Sequence, residues 1–184
     1  MTGGRLARGY ALSVKLSVGD VVVYPPHGVG RVAARRTEVV LGTRQKVVVL
    51  ALDGDLSVTL TLDRAQELLR PLVDESGIRQ VRDTLRASPP FSQEVWGKRL
   101  KEAQAKLRSG DPLELAEIVR DGAQRERRPS ASGYTKLSVG ERALWAKARD
   151  LLSGEISLVR GLDRTEANAW IDEQLATPQL GQLG

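Results

Sequence analysis

Three observations predict an α+β chain of two modules, a small antiparallel β-barrel or curled sheet followed by an all-helical domain. The apolar pattern runs with a period of two from Leu16 to about Leu62, then with a helical period after Pro71. Turn signals built on Gly and Asp punctuate the first stretch, whereas N-cap and proline stop signals punctuate the second. The chain of 184 residues is long enough for two small domains. The predicted boundaries are 15–70 for the β module and 71–177 for the helical module. Residues 1–14 and 178–184 lack periodicity and are expected to be flexible extensions.

In the first module Val21 to Tyr24 forms a short strand, closed by the pair Pro25-Pro26, which fixes φ and removes two backbone donors. Gly28 and Gly30 permit backbone conformations that other residues avoid, and Val29, Arg31 and Val32 resume an extended pattern. Val39-Val40-Leu41 and Lys46 to Leu52 are further strand-like runs. Leu56, Val58, Leu60 and Leu62 alternate with Ser57, Thr59 and Thr61. Gly42-Thr43-Arg44 and Asp53-Gly54-Asp55 read as the turns between them. Four or five antiparallel strands result.

Ile78, Val81 and Leu85 mark the first helix of the second module, ended by Ser88-Pro89-Pro90. Trp96, Leu100, Ala103 and Leu107 form the next stripe, stopped at Ser109-Gly110. Asp111-Pro112-x-Glu114 combines an N-cap, a proline at the first helical position and a capping-box acid, and opens a helix through Arg120. Ser138-x-x-Glu141 opens another through Leu152, and Asp163-x-x-Glu166 opens the last, with Ala167, Trp170, Ile171 and Leu175 on one face. Arg125 to Gly133, charged and then rich in Pro, Ser and Gly, reads as a loop. Lys-Leu-Ser-Val-Gly occurs at 15–19 and 136–140, but nothing around it recurs, so no internal repeat is implied.

Composition narrows the function. With 41% apolar but only 4% aromatic residues, the core must be built from Leu, Val, Ile and Ala. There is no cysteine and one histidine, which removes disulfides, thiolate sites and histidine-based metal centres and fits a reducing cytosol. No run approaches the length of a membrane span, so a soluble, cytoplasmic protein without a membrane partner is expected. Net charge is +5, compatible with nucleic acid. Residues 79–128 hold 12 Lys/Arg against 8 Asp/Glu, whereas 129–184 hold 6 against 7, so the basic excess lies before the last third.

No catalytic constellation can be assembled. His27 sits in a turn without a Ser, Cys or Asp partner at useful spacing and reads as structural. Asp53 and Asp55 flank a glycine as a hairpin turn does, without the further oxygen ligands of a calcium loop. Gly28-Val29-Gly30 lacks the third glycine and following helix of a dinucleotide site. No cofactor is predicted. Trp145 and Trp170 lie in apolar helical stripes and are assigned to the core; Trp96 shares a face with Leu100 and Leu107 and on pattern alone belongs there too.

The order Val18-Gly-Asp20, Val22-Val-Tyr-Pro25, His27-Gly-x-Gly30 resembles the opening of the CarD/CdnL family of bacterial transcription regulators. The similarity continues through Trp96 with Lys98, Arg99 and Lys101, Leu107-x-Ser-Gly-Asp111, Ala116-Glu-Ile-Val-Arg-Asp121, and Leu137-Ser-Val-Gly-Glu141 with Ala146-Lys-Ala-Arg149. It covers about Leu16 to Leu175. The resemblance implies a Tudor-like β domain that binds the RNA polymerase β subunit and a helical domain that contacts promoter DNA. It implies that Trp96 meets the minor groove at the upstream edge of the melted promoter, flanked by Lys98, Arg99 and Lys101 as phosphate contacts. Two strand positions that carry polymerase-facing arginines in the family are Glu38 and Thr59 here, with Arg35, Arg36 and Arg44 nearby to supply charge instead. The strand ending in Leu60-Thr61-Leu62 also lacks the family's proline. A protein-binding adaptor without a DNA role is the alternative expectation.

Overall fold

In a computed structural model, the residues described are 16–25, 27–53, 55–90, 92, 94–127 and 136–177. The elements in chain order are β1 (Val21–Tyr24), β2 (Gly28–Val40), β3 (Thr43–Leu52), β4 (Ser57–Thr61), α1 (Leu62–Leu68), α2 (Glu75–Arg86), α3 (Trp96–Ser109), α4 (Pro112–Arg127), α5 (Val139–Arg160) and α6 (Arg164–Ala176). They form two compact units. One comprises Gly30–Pro71 with the described residues up to Tyr24, the other Pro25–Val29 with the described residues from Leu72 onward.

The first unit is a curled antiparallel sheet in the order β1-β2-β3-β4, a Tudor-like half-barrel. Its core gathers Leu16, Val22, Val32, Val48 and Leu50, with Ala65 and Leu69 from α1 and the residue after it. Gly28, the first residue of β2, takes φ +98, a left-handed conformation that favours glycine. A bulge between Val32 and Ala34 shifts the register of β2 against β3. Beyond it the β2–β3 hairpin turns at Leu41-Gly42, both at positive φ, so Thr43 and Arg44 belong to β3 rather than to the turn. The outer edge of β1 is partly closed by the Val23–Arg70 bridge. Among the described residues, β4 pairs with β3 alone, leaving its other edge open.

The second unit packs α2, α4, α5 and α6 around Val81, Leu115, Val119, Leu152, Ile156 and Ile171. Capping residues fix the helix starts. The Asp74 carboxylate accepts from Gly77 N–H, and Asp111 Oδ1 accepts from the N–H groups of Leu113 and Glu114. Ser138/Glu141 and Asp163/Glu166 form complete capping boxes. Glu114 does not close a box with Asp111; its carboxylate meets the Ser109 hydroxyl, which accepts the Asp111 N–H.

Four further expectations need correction. Leu62, read as the end of a strand, is the first residue of the helix α1, which runs to Leu68. α4 continues to Arg127, so the loop predicted from Arg125 starts later; residues 128–135 and both termini lie outside those described. α5 runs on to Arg160, past Ser153-Gly154. Trp145 and Trp170 are half-buried rather than core residues. Trp145 is nevertheless anchored: its Nε1–H donates to the Val119 carbonyl at 3.0 Å, and its ring fills the space over Gly122. Trp170 packs beside the core under the Arg160 guanidinium, 5.3 Å from the ring centroid.

Candidate nucleic-acid interface

Trp96 is the first residue of α3 and stays 60% exposed. Its helical phase is that of Leu100, Ala103 and Leu107, of which Ala103 and Leu107 pack against the core as partly buried residues. Helical side chains lean toward the N-terminus, so a residue at the first position reaches past the end of the helix. The periodicity was correct about the face, and the position along the axis decides exposure. Val95 and Val139, the residues at the starts of α3 and α5, are also exposed, so apolar surface collects where two helices begin.

The basic neighbours divide. Lys98 is exposed and holds Glu94 at 2.5 Å, and this hydrogen bond and charge raise its ammonium pKa. Lys101 is exposed, without an ion-pair partner among the described residues. Arg99 turns inward. Its Nε donates to Glu141 Oε1 at 2.9 Å, Nη2 lies 2.7 Å from the same oxygen, and Nη1 donates to the Glu94 carbonyl at 2.5 Å. The two side chains are only 15% and 6% exposed. Removing one partner of so buried a pair costs several kcal/mol, roughly 3–5, because the other charge is stranded. Sequence reasoning placed Arg99 with the phosphate contacts and missed this pairing across 42 residues. The legible half of the signal was the capping-box acid at Glu141.

The Glu141 carboxyl is under opposed influences. Burial pushes its pKa up, but the Ser138 backbone and side chain and the Arg99 guanidinium outweigh it and hold the group below its ordinary value of 4.5. A depressed carboxylate contributes stability that is complete above the unfolded pKa and is lost as pH falls through the folded one. The wild-type protein should therefore lose more melting temperature from pH 5 downward than Glu141→Gln does. Parallel acid titrations of the two melting curves check this.

On the sheet, register sorts the predicted partner residues. Arg36 and Glu38 lie on one face of β2, opposite Val47 and Gln45, and Thr59 lies on the same face of β4, opposite Val49. Arg36 and Glu38 form an ion pair at 2.5 Å. Arg35, opposite the buried Val48, and Arg44, at the start of β3, project from the other face, and both are exposed. Glu38 and Thr59 thus share a face but are separated by β3.

His27 is exposed in the β1–β2 turn. Among the described residues no cluster of three or more His, Cys, Asp or Glu could hold a metal ion, and no helix is long and apolar enough to cross a membrane.

The chain thus joins a Tudor-like sheet to a helical unit, with an exposed tryptophan heading one helix. Residues 16–73 match the family model of the CarD-like/TRCF RID domain, and residues 80–172 match that of the CarD C-terminal domain. The chain belongs to the CarD family. It is also 23% identical over 155 residues to the protein named "Putative transcription factor YdeB" of Bacillus subtilis strain 168, an overlap covering 83% of this chain and 97% of that one.

Proposed function

We propose that the protein is a non-enzymatic transcription regulator that docks on RNA polymerase through its β unit and contacts promoter DNA through the start of α3. Family membership and the transcription-factor relative support a role in transcription. The single observation that carries the DNA reading is the exposed Trp96 ring, with no buried position to explain it. An apolar wedge against the minor groove at the upstream edge of the bubble holds base steps that re-stack at a gain of a few kcal/mol. Lys98 and Lys101 flank it for phosphates without reading sequence. The factor shifts the closed-to-open equilibrium only by its difference in affinity for the two states.

For the polymerase β subunit, the open edge of β4 suits addition of a partner strand, which supplies main-chain hydrogen bonds. Tethering by this contact raises the effective concentration of the helical unit at the promoter. Thr59, beside that edge, and Glu38, two strands away on the same face, replace the family's arginines. Thr59→Arg should tighten binding to a bacterial polymerase β subunit several-fold, about 1 kcal/mol, and Glu38→Arg should do so less. Titration of the full-length variants against immobilised polymerase tests the assignment. Unchanged affinity in both would remove this face from the interface.

A further inference from the structure

We infer that Arg99 is a positioning residue: through Glu141 and the Glu94 carbonyl it ties the first turn of α3 to the first turn of α5, and so fixes where Trp96 stands. The inference rests on the reading that Trp96 meets DNA.

Four features carry it. Two of the three guanidinium nitrogens, Nε and Nη1, donate to acceptors within the protein, on Glu141 and Glu94, while Nη2 is buried 2.7 Å from Glu141 Oε1 as an ion-pair contact without a hydrogen bond. The Glu141 carboxylate serves two helices at once, since its Oε2 accepts the Ser138 N–H at 2.9 Å while Oε1 takes Arg99. α3 has no fully buried residue, and its N-cap, Val95, offers no side-chain cap. Its start is therefore weakly held by packing, with Leu100 beside Gly140 and the exposed Lys98–Glu94 pair as the neighbouring ties. Reaching a phosphate would require Arg99 to leave Glu141 as a buried, unpaired charge. Lysine cannot substitute, because one ammonium does not reproduce a planar fork with separate donors for the carboxylate and the carbonyl.

The test uses full-length protein labelled with 5-fluorotryptophan, with the Trp96 fluorine signal assigned by its loss in Trp96→Phe, and forked-junction DNA as the probe. Arg99→Lys and Glu141→Gln should each shift or broaden the Trp96 signal and leave that of Trp170 in place. Each should weaken binding to the forked DNA at least tenfold, with the wild-type dependence of log affinity on log salt retained. Lys101→Gln, as a phosphate contact, should instead reduce that slope by about one. If Arg99 were itself a phosphate ligand, Glu141→Gln would release it and bind DNA as tightly as wild type or better. Arg99→Lys would then keep binding with an unmoved Trp96 signal. Either result overturns the inference. Glu141→Gln is near-isosteric and Arg99→Lys keeps the positive charge, and circular dichroism identifies any variant that fails to fold. Loss of folding in one leaves the decision to the other. If Trp96→Phe binds forked DNA as wild type does, the DNA reading of the tip fails, while the fluorine response to Arg99→Lys still decides whether Arg99 positions the ring.

Discussion

Trp96→Ala is expected to change the melting temperature by less than about 3 °C while removing most of the protein's effect on the lifetime of promoter open complexes. The two halves of this expectation come from different observations. The ring is 60% exposed and heads a helix without buried residues, so its removal creates no cavity. On the proposed function, losing the ring also deletes the minor-groove wedge that would distinguish open from closed DNA. Were the ring part of the core, truncation would cost about 3–5 kcal/mol and destabilise the helical unit. Thermal melting and an open-complex decay assay on one preparation separate the cases. A large drop in melting temperature would return Trp96 to the core, and normal melting with normal open-complex lifetimes would remove it from the mechanism.

Leu152→Ala should show the opposite pattern. Leu152 is 1% exposed, in the middle of α5 and in the cluster shared with Val119, Ile156 and Ile171. Deleting its branched end loses transfer free energy and leaves a cavity, together about 2–5 kcal/mol. For a unit of this size that lowers the melting temperature by roughly 10 °C or more. Melting followed by helix circular dichroism measures it. A fall equivalent to less than about 1 kcal/mol would mean that α5 does not carry the core.

The change of period at about residue 70 was legible because each module buries one side of its elements, so period two and period 3.6 are written in the apolar residues. The helix starts at Asp111, Ser138 and Asp163 were legible because caps act within four residues of chain. What escaped depends on distant partners. α1 presents Leu62, Ala65 and Leu69 to the sheet, but Leu62 also completes the alternation of β4, and a buried alanine is a weak signal. The continuation of α5 was hidden by Ser153-Gly154. Glycine suits that position because a Cβ would come within 2.9 Å of the Arg164 guanidinium, ten residues on and across a turn. The length of β2 was hidden because Arg35, Arg36 and Thr37 are all exposed, so the apolar alternation lapses there even though Val48 and Val47 opposite are buried.

The candidate site was half legible in the same way. Trp96 and the nearby positive charge can be read from spacing and resemblance. Periodicity gives the angle of Trp96 around the helix and not its height above the core, and height is what leaves it exposed. The division of labour among Lys98, Arg99 and Lys101 depends on Glu141, an acid whose capping-box signature gives no hint of a second helix to bind.

On the proposed function, the tip of α3 lies against promoter DNA when polymerase is open. A photo-crosslinking amino acid placed at position 96, with position 147 on the exposed side of α5 as the control, tests it most directly. In a complex of the full-length protein, RNA polymerase and promoter DNA, the account predicts crosslinks from position 96 to DNA at the upstream edge of the melted region, and none from position 147. Crosslinks from position 96 to protein alone, or equal DNA crosslinking from both positions, would contradict it.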